Sequence, residues 1–176
     1  MAKKSGWARK GSAMRLQVTL PLEAALGIIN SAIGTARAET MLPLTIVVLD
    51  AAGKIIASQS EDGSGLMRFD IARGKAWGAL GMGMSSRLIR DRLANRPSFQ
   101  ASLAAVADGA FVPVPGGVLV LADDGTVIGA VGVSGDTSEK DEYCAITAIL
   151  AAGLDCEPNS PDANWRSSSL SGPSAH

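Results

Sequence analysis

The chain is 176 residues long and 47% hydrophobic, with a mean hydropathy of +0.20, which is the length of one domain and enough apolar side chain for one substantial core. A formal charge of −1, a pI near 5.8 and 4% aromatics exclude the basic field and the stacking platforms on which nucleic-acid binding rests. The only histidine is His176, the last residue, so histidine catalysis and His-rich metal sites are excluded from the folded body.

Cys144 and Cys156 are too far apart for CxxC, and two cysteines without other ligands make neither a zinc site nor a disulfide framework. No metal-ligating set is expected. The N-terminal MAKKSGWARKGSAMR has basic residues but lacks the apolar run of roughly 7–15 residues that a secretory signal carries. No stretch reaches about 18 consecutive apolar residues, so no membrane partner is expected and a cytoplasmic location is.

Residues 1–14 lack periodicity and read as a flexible arm. From Pro21 to about Glu39, Leu22, Ala25, Leu26, Ile29, Ile33 and Ala36 recur at helical spacing, with Thr19 as the expected N-cap and Pro21 in the first turn. The β-branched run 44–49, the turn Asp50 to Lys54 and the run 55–59 predict a hairpin. After the loop 60–66, Phe69, Ala72, Ala76, Leu80 and Gly83 fall on one helical face. Glycines at 74, 78, 81 and 83 weaken that helix by up to about 1 kcal/mol each relative to alanine, so they are read as permitting close backbone approach. Ser85 or Ser86 caps a short basic helix with Leu88, Ile89 and Leu93, and Pro97 opens another with Phe99, Leu103 and Val106.

The stretch from Phe111 to Glu142, FVPVPGGVLVLADDGTVIGAVGVSGDTSEKDE, concentrates the site-like chemistry. Two prolines enforce extended backbone ahead of Gly116 and Gly117. Val118 to Leu121, a turn through Gly125, and Val127 to Val133 then predict a second hairpin. It echoes the first through shared turn chemistry, and together they argue for an antiparallel meander with the helices between 66 and 107 as one long crossover. The run Asp136 to Asp141 starts a last helix, which any of three side chains there can cap. Tyr143, Ile146, Ile149, Leu150 and Leu154 form its expected buried stripe, and Asp141 and Glu142 turn toward packed surface. From Asp155 the Ser-, Pro- and Asn-rich chain reads as a loosely draped tail.

Four segments in this order, LTIVVLDAAGKIIA (44–57), IARGKAWGALGMGMSS (71–86), FVPVPGGVLV (111–120) and GAVGVSGDTSEKDE (129–142), resemble the GlcG/HbpS family, the haem-degrading-domain family also found as the C-terminal domain of PduO proteins. The resemblance covers roughly 15–155, leaving 1–14 and 156–176 as flexible ends. It implies a single α/β (α+β) domain of profilin-like fold, with an antiparallel five-stranded sheet flanked by helices, and homo-oligomers. It also implies haem or another tetrapyrrole as the ligand. The chain departs from the simplest haem reading in having no internal histidine, which leaves Met67, Met82, Met84, Tyr143 and Cys144 as ligand types.

Two rival functions stand beside ligand binding. One is an isomerase or lyase for a small carboxylated metabolite. Lys75, which matches the family's helix lysine, would pair with Asp141 or Glu142 as acid and base, and Phe111, Pro115, Gly116, Gly117, Ser134 and Gly135 would form the ligand-binding corner with an anion nest in its glycine turns. The other is an accessory subunit of a catabolic enzyme. For Lys75 a purely structural bridge between two helices stands open as well. GAVGVSG is no phosphate loop, because it lacks the GK[ST] ending.

Overall fold

The computed structural model describes residues 16–170. The expected arm over 1–14 lies outside the described residues, as does 171–176 at the end of the expected tail.

β1 (Thr45–Asp50) and β2 (Ile55–Ser60) form the first hairpin, β3 (Gly117–Leu121) and β4 (Val127–Ser134) the second. Their turns are the same device. In each, the first amide bonds to the carbonyl that closes the loop, Asp50 N to Lys54 O and Ala122 N to Thr126 O, and the glycine, Gly53 or Gly125, sits at φ +81°. Only glycine takes that left-handed conformation without steric cost. An aspartate braces each loop: Asp50 Oδ1 accepts from the amides of Ala52 and Lys54, and Asp124 Oδ1 from that of Thr126.

The sheet is antiparallel throughout, in the order β2-β1-β4-β3-β5. This corrects the meander in chain order. The hairpins join through β1 and β4, whose residues are almost all buried, while β2, ending Ser58-Gln59-Ser60, is largely exposed and takes an edge. Strand alternation divides the core. Ile46 and Val48 of β1 join Val131 and Val133 under α1 (Leu22–Ala38) and α5 (Ser138–Ala151); Val47 and Leu49 face Ala72, Ala76 and Ala79 of α2 (Arg68–Met82). α2 lies so close to the sheet that a Cβ on Gly132 would overlap the carbonyl oxygen of Ala72.

The local expectations need several amendments. Pro21, not Thr19, caps α1, and the Thr19 hydroxyl accepts from Ala51 N. Leu22, Leu26 and Leu150 point outward; α1 and α5 meet through small residues, with Ala25, Ala32, Ala36, Ala145 and Ala148 buried. Gly83 ends α2 as a left-handed cap at φ +63°. Ser85 caps α3 (Ser86–Leu93), and α4 (Pro97–Val106) follows with no buried residue.

The chain beyond Leu154 is not wholly a draped tail. Asp155–Glu157 forms β5 on the β3 edge, where Cys156 pairs with Val120. Farther on, a single 3₁₀ turn, Trp165–Ser167, stacks the Trp165 ring on Tyr143 at a centroid distance of 3.6 Å. One polar-rich segment hid one buried cysteine and one aromatic. Among the described residues no helix is long and apolar enough to cross a membrane.

Candidate functional site

Lys75 occupies the face of α2 turned to the sheet and is 1% exposed. Its ammonium reaches past the end of β3 and β4 to the start of α5, where Nζ donates to Asp141 Oδ2 at 2.8 Å and to Val133 O at 2.9 Å. Asp141 Oδ1 accepts from the Asp136 amide at 3.1 Å, and Thr137 caps the helix. Helices on opposite faces of the sheet are thereby tied through one buried ion pair. Burial pushes the Asp141 carboxyl up to about 6, against the pull of the Lys75 ammonium.

The double-glycine bend closes over this pair. Gly116 sits at φ +116°, and a Cβ there would stand 2.9 Å from Lys75 Nζ and 3.1 Å from Asp141 Cβ. A Cβ on Gly117 would overlap the Lys75 carbonyl oxygen. The Gly117 amide donates to Ser86 Oγ at 2.7 Å, so it is not free for an anion. Ser134 Oγ accepts from Arg68 Nη1 at 3.3 Å, and Gly135 packs on the Pro43 and Leu44 backbone. All the expected site residues, Phe111 and Pro115 included, are buried. A substrate approaching from solvent would have to displace backbone to reach Lys75.

Glu142 does not join them. One residue further around α5, it faces α3, where Arg87 Nη1 stands 3.4 Å from Oε2. Among the described residues neither of its oxygens accepts a hydrogen bond. Burial pushes its carboxyl up to about 7, opposed by Arg87 and Arg90 and reinforced by Asp162 and Glu139.

Open space lies instead along the outer side of α2. Three hollows run in a row. One of about 180 Å³ lies between the Ala51–Gly53 turn and Trp77; one of about 160 Å³ is lined by Trp77, Gly78, Met82, Leu103 and Phe111; one of about 250 Å³ lies between Phe111 and Pro97, Gln100 and Ala104 of α4. Trp77 and Phe111 are the partitions. Gly78 makes room for the Phe111 ring, whose Cδ2 would be 3.1 Å from a Cβ at that position. Of the expected ligand residues only Phe111 belongs to this row. Leu103 is expected from the sequence only as an apolar helix position, and Trp77 falls off the expected apolar face of its helix, so neither carries a ligand signal.

Among the iron-ligand types, Met82 lines the middle hollow and Met84 packs in the same cluster. Tyr143 is stacked under Trp165, Cys144 is buried with Sγ 3.4 Å from Met41 Sδ, and Met67 is exposed at the head of α2. Among the described residues no group of three or more His, Cys, Asp or Glu side chains is placed to hold a metal ion.

Three comparisons bear on this arrangement. A family model described as haem degrading protein HbpS-like matches residues 20–150. An uncharacterised 15.0 kDa protein of the dhaT-dhaS intergenic region of Citrobacter freundii is 31% identical over 111 residues, 63% of this chain and 77% of that protein. Among solved structures, the PduOC:haem complex superposes with a TM-score of 0.71 at 25% identity, covering 78% of this chain and 98% of that one. The Klebsiella pneumoniae protein ORFY gives 0.69 at 25% identity, covering 83% and 98%.

Proposed function

The chain belongs to the HbpS-like family of haem-degrading proteins, and from that premise we propose that it binds a flat, apolar-bodied small ligand, haem or a related tetrapyrrole, in the row of hollows between α2 and α4. The observation that carries this is α4 itself. PSFQASLAAV has no charged side chain and fully buries no residue; Leu103 and Ala104 pack partly buried against the Ile89, Leu93 and Phe111 cluster, while Pro97, Ala101 and Val106 line the hollows at the surface. Ring faces of Trp77 and Phe111, the alkyl side chains of Leu103 and Val106, and the Met82 thioether line the space, an apolar enclosure with one iron-ligating group.

The residues fit haem by kind, and the volume fits once the partitions move. Each hollow is below the roughly 300–1,000 Å³ of a typical ligand pocket, so a macrocycle requires the Phe111 ring to rotate and α4 to lift. Bound there, haem would supply an iron centre capable of redox and oxygen chemistry. The chain's own part is to sandwich the ring system, offer sulfur from Met82 and exclude water beneath α4. The resemblance of this fold to the PduOC:haem complex supports the same ligand class.

We assign the Lys75–Asp141 pair to holding α2 against α5, since both groups are sealed and fully engaged with each other and with backbone. Homo-oligomers accord with the outward-facing Leu22, Leu26 and Leu150, and sedimentation velocity tests that association.

Hemin titration is the direct experiment. A saturable Soret shift is expected, with Phe111→Ala changing the affinity and Met82→Leu removing the thioether–iron charge-transfer band. A titration that never saturates overturns the haem reading. Saturable binding untouched by either substitution overturns the location.

A further inference from the structure

Glu142 is fully buried and its carboxylate lacks hydrogen-bond donors among the described residues, with only the Arg87 guanidinium nearby. Leaving a buried charge in that state is costly, and each such group in a folded protein calls for a reason. The charged and titratable groups facing it come from four elements: Arg87 and Arg90 of α3, Glu139 of α5, Asp162 of the segment beyond β5, and the Cys156 thiol of β5.

That segment, 158–170, lies past the end of the family match at residue 150. It contains no buried residue. Its contacts reach the N-terminal part of α5 and the end of α1. Trp165 stacks on Tyr143, the Ser168 and Thr137 hydroxyls meet at 2.5 Å, and Arg166 pairs with Glu39 at 2.8 Å in an exposed contact. On the α3 side, Arg87 divides itself: Nη1 faces Glu142, and Nη2 donates to Ser160 O at 2.9 Å. Trp165 packs partly buried against the main core and the Cys156 thiol donates to the Pro158 carbonyl, but the segment fully buries no side chain of its own, which places it toward the low end of local opening free energies.

We propose that residues 158–170 form a releasable strap across the α3–α5 junction, whose departure rehydrates Glu142 and frees Arg87, so that strap opening is coupled to the ionisation of Glu142. The direction follows from linkage. With the strap closed Glu142 holds its proton up to a pH of about 7, and rehydration on opening lowers that value toward the ordinary carboxylate range. The closed state binds the proton more tightly, so raising the pH between those limits favours opening. Asp162 adds to this, because it rides on the strap and repels the ionised carboxylate. None of residues 158–170 lines the hollows beside α2.

Hydrogen exchange with mass-spectrometric readout on the full chain tests it, after correction for the pH dependence of intrinsic exchange. The opening constant of the 158–170 amides should rise several-fold, up to about tenfold, per pH unit between pH 5.5 and 6.5, while α5 stays protected. Glu142→Gln, which removes the titration and keeps the shape, should abolish that slope. Trp165→Ala should raise the opening constant at every pH and expose Glu142 to carbodiimide labelling at pH 6, which the parent chain resists. A strap protected equally across the range in the parent, a slope that survives in Glu142→Gln, or labelling of Glu142 that ignores Trp165→Ala overturns the proposal.

Discussion

Replacing Lys75 by methionine keeps an unbranched side chain one atom shorter and removes its charge and its donors. The substitution strands Asp141 at 1% exposure with the Asp136 amide as its remaining hydrogen-bond donor, and leaves the Val133 carbonyl without the ammonium. Breaking a buried pair by removing one partner costs about 3–5 kcal/mol, a large fraction of a stability of about 5–15 kcal/mol. For a chain of this size each kcal/mol moves the melting temperature by about 2–4 °C, so Tm should fall by roughly 6–20 °C at pH 8. The pH dependence carries a sign. Burial already raises the Asp141 carboxyl to about 6, and losing the ammonium raises it further. The deficit should therefore be largest at pH 8, where the carboxylate must stay charged, and should shrink toward pH 5, where it is neutral in the variant. Lys75→Met combined with Asp141→Asn should recover part of the loss. Thermal and urea unfolding at the two pH values read all of this. A Lys75→Met protein that melts with its parent at pH 8 would refute the assignment of the pair to structure and return Lys75 to the candidates for chemistry.

Gly132→Ala should prevent α2 from seating on the sheet, because the new methyl would occupy the Ala72 carbonyl oxygen's place; loss of cooperative unfolding by near-ultraviolet circular dichroism checks it. Glu142→Gln should stabilise the protein at pH 8 by of order 1–3 kcal/mol in urea unfolding. Glu142 is raised from 4.5 to about 7 in the folded state, so its contribution is fully present below about pH 4.5 and lost as pH rises through 7, and the amide removes that slope. Both thiols should resist iodoacetamide at pH 8 in the native state and react on unfolding, since burial pushes Cys144 up to about 12 and Cys156 up to about 11. Rapid native alkylation at either would contradict the burial.

The hairpins were legible because their signals are local: β-branched runs around a glycine that must take positive φ, with an aspartate beside it. The meeting of Lys75 with Asp141 was legible as a pair but not as a choice, since Asp141 and Glu142 are adjacent and only the position of α3 sends one to the lysine and the other to Arg87. The partner of the glycine corner was not legible in the sequence. Glycine-rich turns look alike whether their amides greet an anion or a serine hydroxyl, and Ser86, 31 residues from Gly117, is the partner that decides. Trp77 shows the opposite failure, since a helix's own periodicity does not say which side will be roofed by another helix.

Composition alone removed histidine chemistry from the folded body, and periodicity alone set helices against strands, because both depend on which atoms the chain carries and how its backbone repeats. Which strand stands next to which, which carboxylate meets the lysine, and where a hollow opens were decided by contacts between residues far apart in the chain. Such contacts form only when the whole core closes, and no local pattern encodes their geometry.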